Sequence, residues 1–186
     1  MSFRSGFGLG RAIVFVALFA LGACTTVTVT PEDTAAPKET YKSIVVSFQT
    51  PSNAYVGDYG PFFREGLLRR LRELKAFDTI VEAPNTPSGP DVLYVSATLT
   101  DVDKGNEAVR WLIGFGAGRE HASAELDLKT SDGKSLGHLE IRKAYSGGAG
   151  IGGAGFITIE DLTKQVGEQA AQSLLDWSQG KDVKRD

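Results

Sequence analysis

The chain is short of the residues from which most chemical centres are built. Its 186 residues include one cysteine, one methionine and two histidines. A single cysteine excludes an internal disulfide framework and any cysteine-rich metal site. Two histidines are too few for a histidine-built metal centre. No sign of charge dominates: 20 basic residues face 23 acidic ones, for a formal charge of −3 and a pI near 5.5. A dedicated nucleic-acid binder carries a clear basic excess, so nucleic acid is not an expected partner. The apolar run Ala12 to Leu21 is ten residues long. As a helix it covers about 15 Å, half of the roughly 30 Å hydrocarbon core, so it is no stable span. What remains is an ordinary globular composition, 41% hydrophobic and 23% charged, at the length of one domain with extensions.

Residues 1–23 read as an export signal. Arg4 and Arg11 give a positive start, the apolar run follows, and Leu21-Gly22-Ala23-Cys24 ends it. Small residues before the cut suit a signal peptidase acting between Ala23 and Cys24. The motif resembles the lipobox of bacterial lipoproteins, which implies a diacylglyceryl group on the Cys24 sulfur, palmitate-type acylation and a mature N-terminus at Cys24. The chain's one cysteine stands at the position that chemistry requires. Thr25 follows it, and by resemblance to Gram-negative sorting the lack of aspartate there implies the outer membrane, facing the periplasm. Loss of residues 1–23 removes two arginines and no acid, leaving 18 basic and 23 acidic residues, a charge of −5. Each buried lipid methylene contributes about 0.8 kcal/mol, so two acyl chains hold a protein on a membrane stably.

Residues 24–41 are rich in threonine, proline and alanine and read as a flexible tether. Seventeen residues, Thr25 to Tyr41, would reach about 55–60 Å when stretched. Residues 42–180 read as one α+β domain, and 181–186 as a polar tail. Ile44, Val46 and Phe48 alternate as a strand. Pro61 suits a helix start, and Phe63, Leu67, Leu71 and Leu74 recur at helical spacing. A short strand follows at 77–82 and a long one at 92–102, the latter with Leu93, Val95, Ala97 and Leu99 on one face. One apolar and one wetter face suit an antiparallel sheet. Strands on either side of Asp132-Gly133 form a hairpin that sets Ala124 opposite Ile141 and Leu126 opposite Leu139. Thr158 and Asp161 mark the cap of a last helix with the stripe Leu162, Val166, Ala170, Leu174 and Trp177, closed by Gly180. The expected order is strand, helix, two strands, hairpin, helix: a mostly antiparallel sheet with two helices on one face.

Two glycine-rich stretches stand out. In Val109 to Gly118 (VRWLIGFGAG), Trp111, Ile113 and Phe115 crowd together among alternating glycines. The spacing G-x-G-x-G before a strand fails the dinucleotide fingerprint, so no nucleotide cofactor is expected. The cluster either plugs one end of the core or forms an exposed apolar patch for a partner. At about 25 cal/mol per Å² of exposed apolar surface, water disfavours the second arrangement unless a partner covers it. The second stretch, 147–155, holds six glycines among nine residues, including Gly148, Gly150 and Gly152. It reads as a flexible connector or as a loop that orders on docking.

The hairpin register also places Asp127 opposite His138, with Ser123 and Ser135 nearby in sequence. Neither serine lies in a nucleophile motif, so a cross-strand ion pair is expected rather than a hydrolase. No catalytic, cofactor-binding or metal-ligating residue is assigned. Arg64, Arg69, Arg70, Arg72 and Lys75 outnumber Glu65 and Glu73 on the first helix, as on a solvated helix face.

The lipobox, the Gly114-Phe115-Gly116-Ala117-Gly118 run, the alternating strand after it and the Asp-Gly-Lys-Ser-Leu hairpin (residues 132–136) together resemble a family of uncharacterised bacterial lipoproteins, domain of unknown function 4410. The resemblance spans about Ile44 to Trp177 and implies an α+β fold and a lipid-anchored envelope location, without an activity. The expected role is a protein-binding or assembly module of the cell envelope, held to the membrane through Cys24, with Trp111, Ile113, Phe115, Gly148, Gly150 and Gly152 as partner-binding residues. The alternatives are a subunit of a secretion or pore-type complex and, on the Asp127–His138 pair alone, a hydrolase.

Overall fold

A computed structural model describes residues 25–30, 41–85, 87, 89–105, 120–144, 157–181 and 183. The strands are β1 (Thr25–Thr30), β2 (Ser43–Gln49), β3 (Thr79–Glu82), β4 (Val92–Asp103), β5 (His121–Lys129) and β6 (Ser135–Ala144). The helices are α1 (Ala54–Gly57), α2 (Gly60–Leu74) and α3 (Ile159–Ser178). One six-stranded sheet runs in the order β1-β6-β5-β4-β2-β3. Its three pairings from β1 to β4 are antiparallel, and β2 pairs parallel with both β4 and β3. The α+β class, the mostly antiparallel sheet and the two covering helices are as the sequence predicts.

The core lies between the sheet and the helices α2 and α3. Ile44, Val46, Leu93, Val95, Ala97, Leu126, Leu128, Leu139 and Ile141 are buried on the sheet side. Phe63, Leu67, Leu71, Leu162, Val166, Ala170 and Leu174 meet them from the helices. Tyr94, Ser96 and Thr98 alternate with the buried positions of β4 and are half-buried on the opposite face. The hairpin register also follows the sequence: Ala124 opposes Ile141, Leu126 opposes Leu139, and Asp127 opposes His138.

Cap chemistry fixes the helix ends. The Thr158 hydroxyl accepts from the Asp161 N–H at 3.1 Å, and the Asp161 carboxylate accepts from the Thr158 N–H at 3.5 Å. At the other end of α3 the Gly180 N–H donates to the Trp177 carbonyl and the Lys181 N–H to that of Asp176, both at 2.9 Å. Gly180 takes φ 65°, which closes this Schellman arrangement.

The structure departs from the sequence reading in three places. The stretch expected as a tether holds a strand: Thr25–Thr30 pairs with β6, and Val27 and Val29 take register positions opposite Ile141 and Leu139. Six consecutive β-branched residues favour an extended chain, and the edge of β6 offers it hydrogen-bonding partners. Ahead of Pro61, where no helix is expected, the chain makes a one-turn helix, α1, whose Tyr55 N–H donates to the Asn53 side chain. The hairpin carries an irregularity between Leu128 and Lys129, so that Lys129 opposes Ser135. Its loop is therefore longer than a two-residue turn, and the Thr130 N–H donates to the Lys134 carbonyl at 2.9 Å.

Candidate functional site

Ladder register brings several distant segments to one end of the sheet. Thr25 opposes Lys143, Lys143 opposes Ala122, and Ala122 opposes Val102. With strands about 4.8 Å apart, this row crosses about 14 Å from β1 to β4. One residue further along, Ala144, His121 and Asp103 form the next row. In sequence, residues 106–119 join β4 to β5 and residues 145–156 join β6 to α3. Cys24 precedes Thr25 by one peptide. The start of β1 and the strand ends that lead to both glycine-rich segments therefore share one end of the sheet.

Ala23, Cys24, Trp111, Ile113, Phe115, Gly148, Gly150 and Gly152 themselves lie outside the described residues. Their points of attachment do not. β4 has a register shift between Leu99 and Asp101, a bulge that re-aims the strand's last residues. After it, the Asp101 carboxylate meets the His121 Nε2 at 2.7 Å. The Asp103 carboxylate accepts the Gly105 N–H at 2.7 Å, with Gly105 at φ 71°, so the chain turns sharply as it leaves β4.

An aromatic cluster flanks this end. The Tyr55 and Tyr59 rings meet edge to face, 5.4 Å between centroids, and Phe62 lies 6.4 Å beyond Tyr59. The Lys104 ammonium stands 5.8 Å and 5.6 Å from the Tyr55 and Tyr59 ring centres. That is cation–π range. Contact with the Tyr59 hydroxyl raises the pKa of Lys104 above the ordinary lysine value. Sequence reasoning missed this cluster because Tyr55, Tyr59 and Lys104 come together only when β4 runs beside α1. The His121–Asp101 pair was missed because the bulge breaks the strand's alternation.

Lys143 shares the core-facing side of β6 with Leu139 and Ile141. Burial lowers its pKa, and Glu168 of α3 partly opposes that shift. On the outer face His138 Nδ1 and the Asp127 carboxylate lie 2.8 Å apart, with Asp127 exposed and His138 half-buried. Ser123 is four residues from Asp127 along β5, about 13 Å away, and its ladder partners are Asp101 and Arg142.

The basic face of α2 is mostly paired. Arg64 forks onto Glu82 at 2.7 and 2.5 Å, Arg69 reaches Glu168 and Glu73, Arg70 reaches Glu73, and Lys164 reaches Glu65. An open groove of about 510 Å³ runs along Arg64, Leu68, Arg72 and Glu82. Among the described residues no three His, Cys, Asp or Glu side chains converge on a metal position, and no helix is long and apolar enough to cross a membrane.

Fold and site together define a single α+β domain in which the start of β1 and the ends of β4, β5 and β6 that flank the two glycine-rich segments share one sheet end. Residues 29–149 match the domain of unknown function DUF4410, and the chain belongs to that family. No curated protein matches it. Among solved structures it is similar to the PelC dodecamer from Paraburkholderia phytofirmans, with a TM-score of 0.53 and 11% identity over 81% of this chain and 96% of that one. A variant PelC dodecamer from the same organism gives a TM-score of 0.47 at 13% identity, over 77% and 95% of the two chains. At such identity the likeness is one of fold.

Proposed function

We propose that this chain is an envelope lipoprotein, anchored through Cys24 on the outer membrane and facing the periplasm, that serves as a protein-binding or assembly module without catalysis of its own. One observation carries the reading: Thr25, the residue after the proposed acyl cysteine, lies in the ladder row next to the one formed by Ala144, His121 and Asp103, the strand ends that lead to both glycine-rich segments. The anchor then joins the sheet with almost no slack, where a free tether would have let the domain hang up to about 55 Å away. The apolar segment holding Trp111, Ile113 and Phe115 and the glycine segment holding Gly148, Gly150 and Gly152 thus begin and end at the membrane-proximal end. Trp111 and Phe115 are the anchors of partner binding, and the glycines let their segment adapt to the partner.

The test is photo-crosslinking in intact cells from a benzophenone residue at Phe115. Cross-linked bands containing another envelope protein support the module. Absence of any adduct at Phe115, with the protein present at the membrane, overturns it.

A second reading, a subunit of a secretion or pore-type complex, is favoured by the fold's likeness to a protein solved as a dodecamer. Under that reading the adducts are ladders of the chain with itself, and the detergent-extracted protein has a discrete multiple of the monomer mass.

A further inference from the structure

We propose that Tyr55 and Lys104, backed by the buried ring of Tyr59, form a membrane-surface contact that seats this end of the domain on the headgroup layer of its own bilayer. The inference rests on the Cys24 anchor proposed above and adds an orientation and a contact that the anchor alone does not supply. Successive Cα atoms are 3.8 Å apart, so the acylated residue cannot stray far from Thr25 while β1 is paired. The row from Thr25 to Val102 spans about 14 Å, and Lys104 lies two residues past Val102, about 7 Å further. An acyl chain entering the bilayer beside β1 therefore holds the Lys104 end of β4 within about 20 Å of the anchor point.

The side chains there suit a lipid surface. Tyr55 is 40% exposed and stands out among the described residues as a large apolar side chain left open to solvent. Tyrosine presents an apolar ring with a polar tip, which fits the boundary between acyl chains and headgroups. Lys104 stands over both tyrosine rings, placed to meet a lipid phosphate while its methylene stem stays against apolar surface. The acidic groups at this end include Asp58 after α1, Asp101 (held by His121) and Asp103 of β4, Glu120 before β5 and Glu160 in the first turn of α3. A surface of one negative sign would repel them. A zwitterionic headgroup, carrying a phosphate for Lys104 and an ammonium for the carboxylates, matches both signs, and phosphatidylethanolamine is the lipid class we assign.

The acylated protein has no remaining thiol, so a single introduced cysteine labels uniquely. Ser52→Cys, exposed beside α1, and Ser131→Cys, exposed at the hairpin on the opposite end of the sheet, each carry an environment-sensitive fluorophore. The acylated full-length mature protein is placed in vesicles of phosphatidylethanolamine and phosphatidylcholine in equal parts. Iodide quenching at position 52 is expected to fall several-fold relative to detergent solution, with quenching at position 131 unchanged. Adding Tyr55→Ser and Lys104→Glu to the Ser52→Cys protein should restore quenching. Equal quenching at 52 and 131 on vesicles overturns the inference. So does protection at 52 that disappears when protein is diluted over more vesicles, which would mark a second copy as the occupant. An intact mass of the same sample separates the two readings. A missing lipid removes the anchor and this contact together, whereas a lipid present with position 52 open to iodide removes the contact alone.

Discussion

Gly66 of α2 and Gly167 of α3 meet backbone to backbone. A Cβ on Gly66 would lie 2.1 Å from the Lys164 carbonyl oxygen, and one on Gly167 would lie 2.3 Å from that of Phe63. The two helices are thus seated as one layer, with Phe63, Leu67, Leu162 and Val166 fully or nearly fully buried around the crossing. No side chain can yield at either site, because the obstacle in both cases is main chain.

Gly167→Ala is therefore expected to destabilise the domain. Alanine gains about 1 kcal/mol of helix propensity over glycine, but forcing the helices apart costs about 1–3 kcal/mol or more. The net loss should appear in urea or thermal unfolding. Gly57→Ala, with open space around its Cβ, is the comparison and should change little. Equal stability of Gly167→Ala and the parent would show that the helices do not cross there.

The start of α3 offers a second check. Thr158→Ala removes the side-chain acceptor of the capping box, at an expected cost of about 1 kcal/mol. Thr158→Ser should retain most of it. A fall as large in the serine variant would assign the effect to the lost methyl rather than to the cap.

Lys143 supplies a dependence on pH. Its folded-state pKa is lowered, so between that value and its unfolded value the unfolded chain binds more protons, and stability rises with pH. The ionised amine on the core-facing side is a penalty below this window and fades through it. Lys143→Met removes that penalty. Its gain in melting temperature over the parent should be largest near neutral pH and shrink as the solution becomes alkaline. A gain independent of pH would place the effect in packing alone.

Much of the fold was legible in the sequence. Asp132-Gly133 pins the hairpin, so Leu126 and Leu139 could be paired from alternation alone, and the stripe from Leu162 to Trp177 gave the buried face of α3. Other features had no local signal. Thr25–Thr30 is rich in threonine and lies before a proline, a composition that reads as linker, and only the vacant edge of β6 makes it a strand. The Gly66–Gly167 contact and the Tyr55–Lys104 stacking join elements far apart in sequence. Neither periodicity nor spacing encodes them. The residues proposed for partner binding, from Trp111 to Gly152, were singled out by composition, and of their surroundings the structure describes the strand and helix ends that frame them.

The account turns on what sits at Cys24. The most direct measurement is the intact mass of the protein extracted from membranes. A mass matching a chain that begins at Cys24 and carries a diacylglyceryl group is the expected result. A mass matching a chain that still begins at Met1, or one whose Cys24 carries no lipid, would contradict the anchor and with it the membrane-proximal assignment of this end of the sheet.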